Sequence, residues 1–166
     1  MTKYQVVWKG PTHRAGGLGT ASREYVRALR QQGVDVKVTT EVKKPDAGNK
    51  RRVLIYHHPP NRIDMNQERK RFHRIILNTV WETTKVPRNW FPNINKFDAV
   101  CVPSVQNKKA MINSGVKVPI FIVPHGVHTR QFTPANKKIA FKKIQKISLS
   151  FYLYLASSTA KTPKPC

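Results

Sequence analysis

The chain has 166 residues, with 31 Lys and Arg against 8 Asp and Glu and a formal net charge of +23. That length holds one domain with a full core and excludes two of ordinary size, while its separated apolar clusters exclude a disordered polycation. The charge directs the chain towards polyanions, whether nucleic acid, an anionic membrane face or phosphorylated small molecules, or else marks a solvated basic surface.

The start "MTKYQVVWKG" has no long apolar core or cleavage site of a signal peptide. Its "YQVVW", residues 4–8, is predicted as a first strand. Gly16, Gly17 and Gly19 follow, and then a helix with Ala21, Tyr25, Ala28 and Leu29 on one face, which Gly33 ends in a left-handed turn. "VDVKVTT", residues 34–40, alternates as a second strand, and the polar residues 41–51, broken by Pro45 and Gly48, form a loop. "VLIYHH", residues 53–58, is a third strand, stopped by Pro59 and Pro60. A basic helix is expected over 61–73 and a fourth strand over "IILNTVW", residues 75–81. The rhythm repeats: a turn-rich connection, a strand over 98–104, a helix over 105–115 closed by Gly115, and a strand over 119–124.

Apolar strands alternating with helices predict an α/β fold, a Rossmann-like and mostly parallel sheet with helices on both faces. Residues 1–134 form this domain. The character changes after residue 134: "KKIAFKKIQKI" places Ala140, Ile144 and Ile147 at helical spacing against five lysines, a basic amphipathic helix. The apolar "SLSFYLYLA" and a polar end follow; "ISLSFYLYLA" is about half the length of a membrane-spanning helix. Cys101 and Cys166 suggest no disulfide framework, and the expected compartment is the cytoplasm, with possible contact to the inner face of a membrane.

In a parallel sheet, ligands bind outside the carboxyl ends of the strands, and the first strand–helix turn is the favoured phosphate site. Gly16, Gly17 and Gly19 let backbone approach an anion, the helix N-terminus presents free N–H groups, and His13 and Arg14 add charge. The loop is neither a P-loop, which needs Gly-Lys-Ser/Thr, nor the dinucleotide fingerprint in its usual spacing. His57 and His58, adjacent on a strand, point to opposite faces, so one of them shares the cleft of the glycine loop. With His125, His128 and Cys101 they form no compact metal-ligand cluster.

Several pieces taken together, "WET...VPRNW", "FDAVCVPSVQN", "SGV..PIFIVPHGV" and "FTP" with the opening glycine pair, are similar to the N-terminal half of the retaining GT-B glycosyltransferases of group 1, or family 4. In order and spacing they cover about four fifths of the chain. The resemblance implies an acceptor-side domain facing an interdomain cleft, with a nucleotide-sugar as donor substrate, no covalently bound cofactor and no required metal. By position, Gly16 and Gly17 line the phosphate path, Ser104 stands at the cleft edge, and His125 and Gly126 match the family's "PHG" turn. Many members carry a histidine after the fourth strand; here Trp81 and Glu82 occupy that neighbourhood, and Glu82 either accepts a proton or hydrogen bond from a sugar or pairs with a nearby base.

The family's second domain grips the donor with two glutamates eight positions apart, a spacing absent among Glu24, Glu41, Glu68 and Glu82. Residues 135–166 read as a basic linker helix and the start of that domain, cut short or shifted out of frame. The implied partners are an anionic or lipid-linked acceptor and a second domain or partner chain. The other function class left open is a non-catalytic basic module for a polyanion; against nucleic acid stands the lack of a recognised motif or an aromatic-basic stacking surface.

Overall fold

A computed structural model describes residues 4–38, 51–130 and 132–135. The chain divides into two compact units, Met1–Gly126 and Val127–Cys166. All regular secondary structure among the described residues belongs to the first. The lysine-rich segment and apolar end expected beyond residue 135, and the loop expected over 41–50, lie outside the described residues.

The elements are β1 (Tyr4–Lys9), α1 (Gly17–Gln31), β2 (Asp35–Val38), β3 (Arg51–Tyr56), α2 (Met65–Arg69), β4 (Arg74–Asn78), β5 (Ala99–Val102), α3 (Val105–Asn113) and β6 (Ile120–Ile122). Short 3-10 turns stand at Pro60–Arg62, Arg88–Trp90 and Asn93–Lys96. Six strands make one sheet in the order β2-β1-β3-β4-β5-β6, and every neighbouring pair is parallel. The fold is α/β and consistent with a Rossmann-like domain.

Register explains the core. Val7 stands beside Leu54, Leu54 beside Ile75, and Leu77 beside Val100, so the apolar residues of four strands line up on one face. Ile94 and Met111 of α3 join that row, and every member from Leu54 onwards is fully buried. On the opposite face Trp8 and Val36 meet Val26 of α1, with Tyr25, Leu29 and Ile55 packed around them. The sheet is covered on both sides because β1 steps to β2 in one direction and β3 to β6 in the other. Right-handed crossovers then put α1 on one face and α3 on the other.

Three expectations change in detail. The helix expected over 61–73 is a 3-10 turn followed by five residues of α2. Asp64 starts α2 by accepting the Asn66 and Gln67 N–H groups at 3.0 and 3.1 Å, and the turn closes when the Arg71 and Phe72 N–H groups both bond the Glu68 carbonyl. On α1, Ala28 is exposed; Gly19, Ser22 and Val26 are the buried positions. The third and fourth strands end before His57 and Trp81, and the fifth before Ser104, so these residues belong to the loops at the carboxyl edge. Gly33 and Gly115 adopt positive φ, 74° and 94°, just past the helices they close.

A candidate phosphate site at the sheet's switch point

The strand order reverses between β1 and β3, which leaves a crevice outside their carboxyl ends. β1 delivers Lys9 and Gly10 there; β3 delivers His57 and His58, with the His57 N–H bonded to the Lys9 carbonyl at 2.8 Å. The glycine loop runs from Gly10 into α1. Gly16 is the N-cap at φ 98°, a conformation that side chains disfavour, and no side chain caps the helix. α1 also carries no acidic residue in its first turn. Its leading N–H groups and the positive end of its dipole are therefore offered to an anion.

The three glycines have different physical tasks. Over Gly17 there is open space: a Cβ there would meet nothing within 4 Å. Gly19 has none, since its Cβ would run into the Arg14 carbonyl and come within 3.1 Å of the Pro11 oxygen. Arg23, one turn further along α1, fixes the loop by donating to the Thr12 and Arg14 carbonyls at 2.9 and 2.8 Å and to Thr20 Oγ1 at 3.0 Å.

The two histidines separate by environment. His57 is 2 % exposed, its Nδ1 lies 2.8 Å from Ser22 Oγ, and its ring meets those of Trp8 and Tyr25 edge-on at 5.3 and 6.2 Å. Burial, followed by the neighbouring His58 and His125, pushes its pKa down to about 4, so it is neutral near pH 7. His58 is half-buried against Tyr56, at 5.5 Å between rings. Its pKa is lowered first by burial and then by Arg14, Arg62, Lys9 and His13. His58 thus shares its surroundings with the cations of the glycine loop, whereas His57 is a packed tie between β3 and α1. Glu68 is the carboxylate that reaches this group, its Oε1 accepting from Lys9 Nζ at 2.8 Å.

The remaining sequence-predicted residues stand along the same edge. Exposed His125 follows β6 and lies 5.6 Å from the Tyr25 ring, whose hydroxyl donates to the Val123 carbonyl at 3.1 Å; α1 thereby links the β6 end to the glycine loop. Gly126 has open space around it. Ser104 caps α3, its Oγ accepting from Asn107 N at 3.2 Å and Nδ2 at 3.1 Å, so its hydroxyl is committed to the cap. Glu82 is exposed in the loop after β4 and takes part in no ion pair among the described residues. Arg14 and His58 come together, with Gly16 and Gly17 on the same loop as Arg14; Glu82 follows β4 and Ser104 follows β5, one and two strands beyond β3 in the sheet.

Ser22 and Arg23 escaped the sequence analysis, which placed Trp8 and Tyr25 only as strand and helix residues and not at the site. Arg23 and Ser22 carried a usable signal, as polar residues within the first two turns after a glycine loop. Trp8 gave none, because an indole ending a strand reads as core; its Nε1 is buried without a hydrogen-bond partner.

No protein-family model, curated protein or solved structure matches the chain. Among the described residues no group of three His, Cys, Asp or Glu side chains is placed to hold a metal ion, and no helix is long and apolar enough to cross a membrane.

Proposed function

We propose that this chain is the acceptor-side half of a retaining glycosyltransferase, and that its glycine loop receives the diphosphate of a nucleotide-sugar. One observation carries the reading: an uncapped helix N-terminus, open above Gly17, follows the switch-point loop that bears His13 and Arg14, whose charges reach His58 together with those of Lys9 and Arg62. Helix N–H groups and guanidinium groups stabilise the charge that grows on a diphosphate as its bond to the anomeric carbon breaks, and no metal is needed for that. The acceptor hydroxyl forms the new bond to the same carbon and releases a proton. Glu82, the carboxylate further along the edge, takes it, while His58 sides with the diphosphate. His125 and Gly126 border the acceptor side, and the family's glutamate pair would be supplied by a second domain.

Calorimetric titration with UDP-, GDP- and ADP-sugars tests this. Binding at about millimolar or tighter is expected for one of them, weakened about tenfold or more by Gly17→Val. Since that side chain meets open space, its melting temperature should stay within a few degrees of the parent. Absence of heat with all three nucleotides sinks the proposal.

A second outcome comes from His58. A bound diphosphate offsets the cations that lower its pKa, so the histidine takes up a proton on binding. Affinity should then rise as pH falls from 7.5 to 6 and weaken as pH rises, and titrations in buffers of different ionisation enthalpy should show net proton uptake. His58→Gln removes the uptake; a pH-independent affinity in the parent would refute the assignment.

The net charge of +23 supports a second reading, a non-catalytic module for a polyanion. It predicts affinity that drops steeply with salt and no dependence on Gly17.

A further inference from the structure

A groove of about 650 Å³ lies between α1 and the edge strand β2. It begins at Thr12 in the glycine loop, has Arg23, Arg27 and Arg30 along one wall with Val26 among them, and reaches Val38 at the carboxyl end of β2. Among the described residues no carboxylate and no aromatic side chain lines it. The arginines stand three and four residues apart on one helix face, so their stems rise in axial steps of about 6 and 4.5 Å. Successive charges along an anionic chain would meet successive guanidinium groups.

Two of these arginines have charge to spare. Among the described residues the one ion pair of Arg27 is with Glu24, at 3.9 Å, with both side chains more than half exposed, a pair that water screens heavily. Arg30 gives one Nη2 hydrogen bond to the Val36 carbonyl at 3.1 Å, a neutral acceptor that leaves its charge uncompensated. Arg23 is held by the glycine loop and joins the groove to it.

We infer that this groove binds a base-free phosphodiester polymer, a chain of polyol phosphates, and guides it towards the glycine loop as the acceptor. The guanidinium fork suits phosphate oxygens. The lack of an aromatic among its described lining residues argues against single-stranded nucleic acid, whose affinity draws on base stacking, and against a sugar polymer that would lie on flat rings. The acceptor role rests on the glycosyltransferase reading; the binding itself does not.

The test measures anisotropy of fluorescein-labelled glycerol-phosphate decamer, thymidine decamer and a hyaluronan oligomer between 50 and 300 mM salt. The glycerol-phosphate chain is expected to bind at least about fivefold more tightly than either competitor. Arg27→Gln with Arg30→Gln should weaken it about tenfold and make the log–log salt slope shallower by about 1.4, two phosphates' worth for a flexible strand. Arg27→Gln alone, which removes no hydrogen bond, should give half that slope change and keeps the test valid if the double variant melts early. Arg51→Gln with Arg88→Gln, exposed arginines outside the groove, should leave binding unchanged. Equal losses in this control pair would overturn the groove, and tighter binding of thymidine decamer or hyaluronan would overturn the ligand class. Nucleotide-sugar titration of the parent protein separates the two proposals: polymer binding without nucleotide binding refutes the enzyme and spares the groove.

Discussion

Gly19→Ala is expected to destabilise the fold by about 3 kcal/mol, at the upper end of what one inserted methyl does in a packed site. The added Cβ collides with the Arg14 carbonyl and presses on the Pro11 oxygen, both of them backbone atoms that no rotamer change can move aside. Those same carbonyl segments are tied down, Arg14 by its N–H to the Pro11 oxygen at 3.1 Å and Arg14 and Thr12 by Arg23. Relief therefore needs the whole loop to lift off α1, which also breaks the proposed phosphate site. Gly17→Ala, two residues earlier in the same helix, provides the contrast: its methyl meets open space, and alanine's better helix propensity makes the change neutral or stabilising by up to about 1 kcal/mol. Urea denaturation of the two variants checks this. Equal midpoints would mean that the loop does not rest on Gly19 as the geometry states.

That contrast also shows what was legible in the sequence. Three glycines between an apolar strand and an amphipathic helix were enough to place a strand–loop–helix unit at the first crossover. They could not say which glycine serves packing and which leaves room for a ligand, because that depends on how closely Arg14 approaches the helix. The parallel sheet was readable from strands such as "VLIY" and "AVCV" that are apolar on both faces. Strand ends were less readable, since "HH", "TVW" and "PS" directly follow the apolar runs while their backbones have already left the assigned strands for hydrogen bonds such as Thr79 N to the Cys101 carbonyl at 3.0 Å. One of the two adjacent histidines was expected to face the cleft on strand alternation. Both in fact lie beyond β3, and burial is what distinguishes them. Ser104 reads as a cleft residue by position, yet the Asn107 three residues later makes it a helix cap, a signal visible in "PSVQN" as it stands.

His57 should give the fold an acid limb of its own. It is held by groups from every element around it: Trp8 from β1, Ser22 and Tyr25 from α1, His58 beside it and His125 after β6. None is a carboxylate, so nothing there stabilises an imidazolium. With a folded pKa of about 4 against an ordinary 6.5, the unfolded chain binds the extra proton anywhere between those values. Stability is then fully present above pH 6.5 and declines as pH falls towards 4, by up to about 3 kcal/mol. Repulsion among the chain's many cations changes little over that range, because Lys and Arg stay charged throughout, and carboxylate protonation is common to parent and variant. His57→Gln isolates the histidine: it keeps a polar partner for Ser22 Oγ and loses the titration. Urea midpoints measured from pH 7.5 to 4.5 should fall more steeply for the parent than for His57→Gln, so the variant is the less stable protein at neutral pH and closes the gap in acid. Parallel curves would show that His57 binds its proton as readily in the folded state as in the unfolded one, and the packed, neutral tie between β3 and α1 beneath the glycine loop would have to be given up.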